Sequence, residues 1–248
     1  MEAYTGFAYV YDEYMDNIPY EEWCEYLVGL LKEQGIVKEM TIADLGCGTG
    51  TVTQLLTEAG YDCVGIDNSS DMLTIATEKM YENECQIIYS LQDMREFELP
   101  YETDAMVSIA DSMNYITSKD DITKVFKCVK AGLKQGGVFI FDLKTIHFFK
   151  DILADNTYAE NRDVSAFIWD NFYDEETRNN EYDLAVFIQN EDGSFDRFEE
   201  NHFQHGFTQE EVLSAAEAAG LKVEAVYDAF TKEPPKEDSE RLYYILRK

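Results

Sequence analysis

Basic residues are scarce in this chain, which carries 20 Lys and Arg against 50 Asp and Glu, a formal net charge of −30 over 248 residues. A field of that sign repels phosphate backbones. The few cations are scattered, with no basic patch that would gain from counterion release, which argues against nucleic acid as a partner. The acidity reads instead as a solvated surface that keeps the protein soluble. Paired cysteines are lacking too: Cys24, Cys47, Cys63, Cys85 and Cys128 lie far apart, are odd in number and form no Cys-x-x-Cys. Neither a disulfide framework nor a zinc site is expected from them. The three histidines, His147, His202 and His205, are not at ligand spacing, so no metal is expected. No apolar run approaches membrane-spanning length, and the first residues lack a basic segment followed by an apolar one. A cytoplasmic protein with free thiols and no membrane partner is therefore expected. Only four prolines accompany 45% hydrophobic residues. That composition suits one large folded domain with room for a smaller insertion.

What is present is a repeating pattern. Trp23, Leu27, Leu30 and Leu31 recur at helical spacing between residues 20 and 34, ahead of a helix-stopping Gly35. Short apolar strands are expected at 41–45, 62–66, 86–90, 105–109 and 138–141, each followed by a turn and, between strands, a helix. One helix shows Val52, Leu55, Leu56 and Ala59 as its stripe. Another shows Ile122, Val125, Phe126, Val129 and Leu133, with Gly136-Gly137 closing it and Lys127, Lys130 and Lys134 near its end to suit the dipole. From about 164 to 207 the pattern turns to alternation, with a hairpin signal at Asp192-Gly193, and predicts a small antiparallel sheet of three strands. Thr208-Gln209-Glu210-Glu211 reads as a capping box opening a helix to Ala219-Gly220, and strands at 222–230 and 241–246 close the chain. The fold class is α/β: a doubly wound, mostly parallel sheet of seven strands with an antiparallel β insertion. The division expected is a helical lid over 1–35, a main domain over 36–150 and 208–248, and an insertion over 151–207.

The most informative stretch is Asp44-Leu45-Gly46-Cys47-Gly48-Thr49-Gly50, a strand entering a glycine-rich turn that opens a helix. Glycines let backbone approach a ligand closely, and a helix start offers free N–H donors. The register after Gly46 and Gly48 falls on Thr51, which departs from a dinucleotide fingerprint, and no Lys-Ser or Lys-Thr follows to make a phosphate loop. The second strand ends in Asp67, a carboxylate able to accept both hydroxyls of a ribose. Met72, in the first turn of the next helix, can lie against an adenine face, and Gln92-Asp93-Met94 after the third strand offers an acceptor for an adenine amine. Three successive strand ends thus cover three edges of one nucleoside, where open α/β sheets bind ligands.

With Gly65-Ile66-Asp67, Ser70-Asp71-Met72-Leu73, Asp93-Met94-Arg95-Glu96-Phe97 and Asp111-Ser112-Met113-Asn114-Tyr115 added to the glycine motif, the chain resembles the class I S-adenosylmethionine (SAM)-dependent methyltransferases. It looks like their small-molecule branch, which includes glycine N-methyltransferase-like and amino-sugar N-methyltransferase-like enzymes. The resemblance runs from about residue 40 to 141 and includes the closing helix and strands. It implies a Rossmann-like methyltransferase fold whose seventh strand runs antiparallel between the fifth and sixth. It also implies SAM as cofactor, with Gly46 and Gly48 at the methionine portion, Asp67 on the ribose, Met72 and Met94 on the adenine faces and Asp93 on its amine. Tyr11, Asp44, Gly50, Asn68, Gln92 and Asp111 complete the expected cofactor set. The N-terminal segment, with Phe7, Tyr11, Asp12, Tyr14 and Tyr20, is expected to cover the cofactor.

A sulfonium methyl is already electrophilic, so transfer chiefly needs an acceptor held close with water excluded, and an amine must also lose a proton. The catalytic candidates are Asp111, Asn114 and Tyr115 after the fourth strand, with Ser112 beside them, and His202 paired with Glu200 in the insertion. Asn114-Tyr115 lacks the two prolines of the Asn/Asp-Pro-Pro-Tyr signature, and the loop lacks a nucleophilic cysteine, so nucleobase acceptors are disfavoured. The expected activity is methyl transfer to a small molecule, nitrogen first and oxygen next, by a monomer or homodimer. The alternatives are an RNA- or protein-modifying methyltransferase and a catalytically idle SAM-binding module.

Overall fold

A computed structural model describes residues 7–248; residues 1–6, the start of the expected lid, lie outside the described residues. Two helices lead the chain. The first, α1 (Ala8–Tyr14), buries Ala8, Val10 and Tyr14, and the second, α2 (Tyr20–Glu33), buries the Leu27, Leu30 and Leu31 stripe. Then strand and helix alternate: β1 (Thr41–Leu45), α3 (Thr51–Glu58), β2 (Asp62–Asp67), α4 (Ser70–Glu82), β3 (Ile88–Leu91), β4 (Thr103–Ser108), a 3-10 turn (Ser112–Tyr115), α5 (Lys119–Gly132) and β5 (Leu133–Lys144). Caps fix two of the starts. The Ser69 hydroxyl accepts the Met72 N–H ahead of α4, and Ser118 accepts that of Asp121 ahead of α5.

A short π-helical turn (Phe148–Leu153) leads into β6 (Thr157–Asn161), β7 (Ser165–Asp174), β8 (Asn179–Gln189) and β9 (Phe195–His205), an antiparallel sheet in that order. The capping box at Thr208 and Glu211 forms and starts α6 (Gln209–Ala219), which ends at a left-handed Gly220. Strands β10 (Lys222–Asp228) and β11 (Arg241–Arg247) finish the chain.

The main sheet has the order β10-β11-β5-β4-β1-β2-β3, and β11 runs antiparallel between β5 and β10. Alternation along β11 shows how both faces are filled. Leu242, Tyr244 and Leu246 join Phe126, Val129 and Val212 of α5 and α6 on one side. Tyr243 and Ile245 join Leu27, Leu31 and Leu56 of α2 and α3 on the other. Ordering reverses at β1 and β4, so the carboxyl ends of those strands bound a crevice.

Two details differ from the pattern read in the sequence. Helix α5 stops at Gly132, and β5 begins at once, so Gly136-Gly137 lie inside the strand and Lys134 pairs with Asp104 across to β4. Glycine is needed at 137 for strand packing instead: a Cβ there would sit 2.9 Å from the Lys134 carbonyl and 3.0 Å from that of Asp104, where the β4–β5 register slips. The insertion has four strands, because the edge strand β6 is nearly all exposed and carries no alternation to betray it.

Candidate active site

The glycine turn is shaped by what surrounds it. Gly46, Gly48 and Gly50 all have positive φ, at 71°, 54° and 76°. A Cβ on Gly46 would meet the Ser112 side chain at 2.6 Å, and one on Gly50 would meet the Tyr89 hydroxyl at 2.3 Å. A Cβ on Gly48 would meet nothing within 4 Å and would project into open space. Gly48 lines a cavity of about 210 Å³.

Ten of the twelve expected cofactor residues line it: Tyr11, Asp44, Gly46, Gly48, Asp67, Asn68, Met72, Gln92, Asp93 and Met94. The other two do not. Gly50 is a packing glycine against Tyr89, and Asp111 faces a second, larger cavity. Asp67 accepts the Gly48 and Ser69 N–H groups at 2.8 Å each, one on each carboxylate oxygen. An ionised carboxylate can accept about four hydrogen bonds in all, so it can also take a hydroxyl donor. Burial pushes its carboxyl up despite these bonds. Asp44 is fully buried; burial, opposed by the Thr53 hydroxyl at 2.6 Å and reinforced by the charge of Asp67, pushes it up to about 7. A cavity walled by two such carboxylates suits a ligand that brings hydroxyls and a positive charge.

Gln92 and Asp93 are more committed. The Gln92 amide bonds Ser90 and the Glu98 backbone, and the Asp93 carboxylate is gripped by Arg95, which holds it below the usual range. Met72 is buried in the wall beside them.

The larger cavity, about 910 Å³, shares Tyr11, Tyr20, Ala110 and Tyr115 with the smaller one. Its far wall comes from the insertion, through Tyr158, Phe167, Trp169 and Tyr182. His202, buried on β9, stands where the alternation of Glu200, His202 and Gln204 places it, facing inward. Its Nε2 lies 2.9 Å from Glu200 Oε2, and its Nδ1 lies 3.3 Å from the Tyr115 hydroxyl. A carboxylate partner favours a proton on Nε2, the nitrogen that faces Glu200. The other histidines are elsewhere: His205 bonds Asn179 and packs on Phe207, and His147 pairs with an exposed Asp151.

Of the candidates after β4, only Tyr115 lines both cavities. Asn114 is completely buried, and its amide is spent on backbone: it donates to the Lys144 and His205 carbonyls and accepts the Lys144 N–H. It ties the 3-10 turn to β5 and β9. Ser112 donates to the Gly46 carbonyl at 2.9 Å.

Asp111 sits in an ionic group that sequence reasoning missed. Lys144 and Arg241 each approach its carboxylate to 2.9 Å, the Gln204 amide donates to it at 3.1 Å, and Arg241 also pairs with the buried Asp142. Burial would raise the Asp111 carboxyl, but the charges of Lys144 and Arg241 outweigh it and hold it below the usual range. Ala110 and Asp111 are consecutive left-handed residues, φ 62° and 58°, a conformation costing about 1–2 kcal/mol per residue. The Asp111 N–H bonds Asp142 at 3.0 Å, so the ion group holds that turn in place. The available signal was a lysine and an arginine at the ends of strands that are otherwise apolar, in a chain poor in both.

Comparison with known proteins agrees with this geometry. The family described as "Methyltransferase domain" matches residues 42–137. "Putative methyltransferase YqeM" of Bacillus subtilis (strain 168) is 34% identical over 99% of this chain and 97% of its own length. The dTDP-3-amino-3,4,6-trideoxy-alpha-D-glucopyranose N,N-dimethyltransferase of Streptomyces venezuelae is 25% identical over 74% of this chain and 76% of its own. The crystal structure of a S-adenosylmethionine-dependent methyltransferase from Clostridium acetobutylicum ATCC 824 superposes with TM-score 0.87 at 25% identity, covering 99% of each chain.

Proposed function

The chain belongs to the class I SAM-dependent methyltransferases, and from that premise we propose that it methylates a nitrogen of a small-molecule amine held in the larger cavity. The observation that carries the reading is the junction: a cavity fitted to a cationic nucleoside meets a larger aromatic one at Tyr115, where a tyrosine–histidine–glutamate row begins.

Asp67 would hold the ribose hydroxyls, Met72 and Met94 the adenine, and Asp44 the positive end of the methionine portion. SAM, when bound, supplies an electrophilic methyl on its sulfonium. This chain's residues do the rest. Gly48 leaves room for the ligand, and Tyr11 and Tyr20 line both cavities beside Tyr115. Among the described residues, five carboxylates and three cations line the larger cavity together with many aromatic faces, a lining that favours a cationic amine over an anion. The proton the nitrogen loses passes to Tyr115 as the Tyr115 hydroxyl proton moves to His202 Nδ1, and Glu200 stabilises the resulting imidazolium through Nε2–H. Asp111 is not the base, because Lys144 and Arg241 depress its proton affinity; its place is electrostatic, beside the acceptor. The aminosugar dimethyltransferase among the relatives is consistent with nitrogen as acceptor.

The test is a panel of amines and amino sugars incubated with the protein and SAM, read by mass spectrometry for methylated product. Methylation of amines that drops in His202→Gln supports the reading; exclusive methylation of oxygen acceptors, or full rate in the variant, overturns it.

A further inference from the structure

Helix α1 is only seven residues long, so its position is set by what it touches. Along one side, Phe7, Val10 and Tyr14 pack on Leu184 and Val186 of β8, and the Tyr14 hydroxyl donates to Ser165 Oγ at 2.8 Å, so the helix rides on the insertion. Asp12 reaches the other way. One of its carboxylate oxygens accepts the hydroxyl of Thr49, inside the glycine turn, at 2.6 Å, and the other pairs with Lys79 of α4 at 2.7 Å. At the start of the helix, the Phe7 N–H donates to Glu200 Oε1 at 2.9 Å, and the other oxygen of that carboxylate holds His202.

We propose that Asp12 is a positioning residue that couples the glycine turn to the Tyr115–His202–Glu200 row through the backbone of α1. The proposal rests on the reading that the smaller cavity takes SAM. A ligand in that cavity lies against Gly48, Thr49 and Tyr11, and so acts on the contacts that seat α1. Seating α1 holds the Phe7 N–H against Glu200, which sets the carboxylate that orients the His202 ring. Coupling of this kind is reciprocal, so whatever loosens the row also weakens the ligand. The docking of α1 is the element both sites bias.

The chain has three histidines, so ring signals of histidine-labelled protein can be followed by NMR at fixed pH, with His202 assigned by its loss in His202→Gln. The probe is S-adenosylhomocysteine, the demethylated product of SAM. Wild type should bind it and shift the His202 signals, while those of His147, on its exposed pair, stay put. Asp12→Ala should still bind, about two- to fivefold more weakly as expected for a partly exposed ion pair, but with the His202 response lost. Phe7 has φ −68°, proline's own value. Phe7→Pro therefore deletes the N–H while matching the φ of residue 7, and should lose the response, whereas Phe7→Ala keeps the N–H and should retain it. Binding with a His202 that never responds, or a response that persists in both Asp12→Ala and Phe7→Pro, overturns the proposal alone. Failure of wild type to bind the probe overturns the cofactor reading and the proposal with it.

Discussion

Asp44→Asn should make the ligand-free protein more stable and its grip on SAM weaker. An aspartate carboxyl ordinarily titrates at 3.8, and burial pushes Asp44 up to about 7. Between those values the folded state holds a proton that the unfolded chain has released, so stability falls as pH rises through the window and is fully present only below it. The interval corresponds to roughly 4 kcal/mol at most, and relaxation around a real buried charge brings a realistic figure nearer 2 kcal/mol. Asparagine carries no charge to desolvate, and its oxygen can still accept the Thr53 hydroxyl that Asp44 accepts at 2.6 Å. At about 2–4 °C per kcal/mol for a chain of this size, the variant should melt about 4–8 °C higher than wild type at pH 8 and together with it at pH 4. Saturating SAM should narrow or reverse the difference, because a cation beside Asp44 stabilises only the carboxylate. Thermal melts of both proteins across pH, with and without SAM, read all of this. A variant that melts no higher than wild type at pH 8, or that binds SAM equally well, would refute the reasoning.

Other outcomes follow from the same geometry. Tyr115→Phe and His202→Gln should each lower kcat by about 10²-fold with little change in KM for the acceptor, measured in steady state on whichever amine the panel identifies; a loss confined to KM would place the row in binding only. Gly48→Ala should cost about 1 kcal/mol of stability for its left-handed backbone, φ 54°, and should weaken SAM more than it destabilises the fold, because Gly48 lines the cavity. Calorimetry beside a melting curve separates the two, and unchanged SAM affinity would move the ligand away from the turn.

Much of the lining of the smaller cavity was legible because it is local. Asp44, the glycines and Asp67 lie at the ends of adjacent paired strands, and the parallel register of β1 with β2 brings them together with no long-range unknown. The inward face of β9 was legible for a similar reason: strand alternation alone puts Glu200, His202 and Gln204 on one side. Asn114 misled because a polar residue next to a site tyrosine reads like chemistry, yet its amide is consumed by two backbone segments that the sequence does not bring near it. The Asp111 group was illegible for the converse reason. Its partners Lys144 and Arg241 are separated by nearly a hundred residues and meet only because β11 inserts antiparallel beside β5, pairing Arg241 with Lys144 in register. The reach of Asp12 to Thr49 and Lys79 is tertiary in the same way.

The most direct test of the central claim is calorimetric titration of the purified protein with SAM and with S-adenosylhomocysteine, beside Asp67→Ala. Micromolar binding by wild type is expected. Removing the Asp67 carboxylate strips the ribose of two charge-assisted hydrogen bonds, so the variant should bind at least about 100-fold more weakly. No binding by wild type, or equal binding by the variant, would contradict the account.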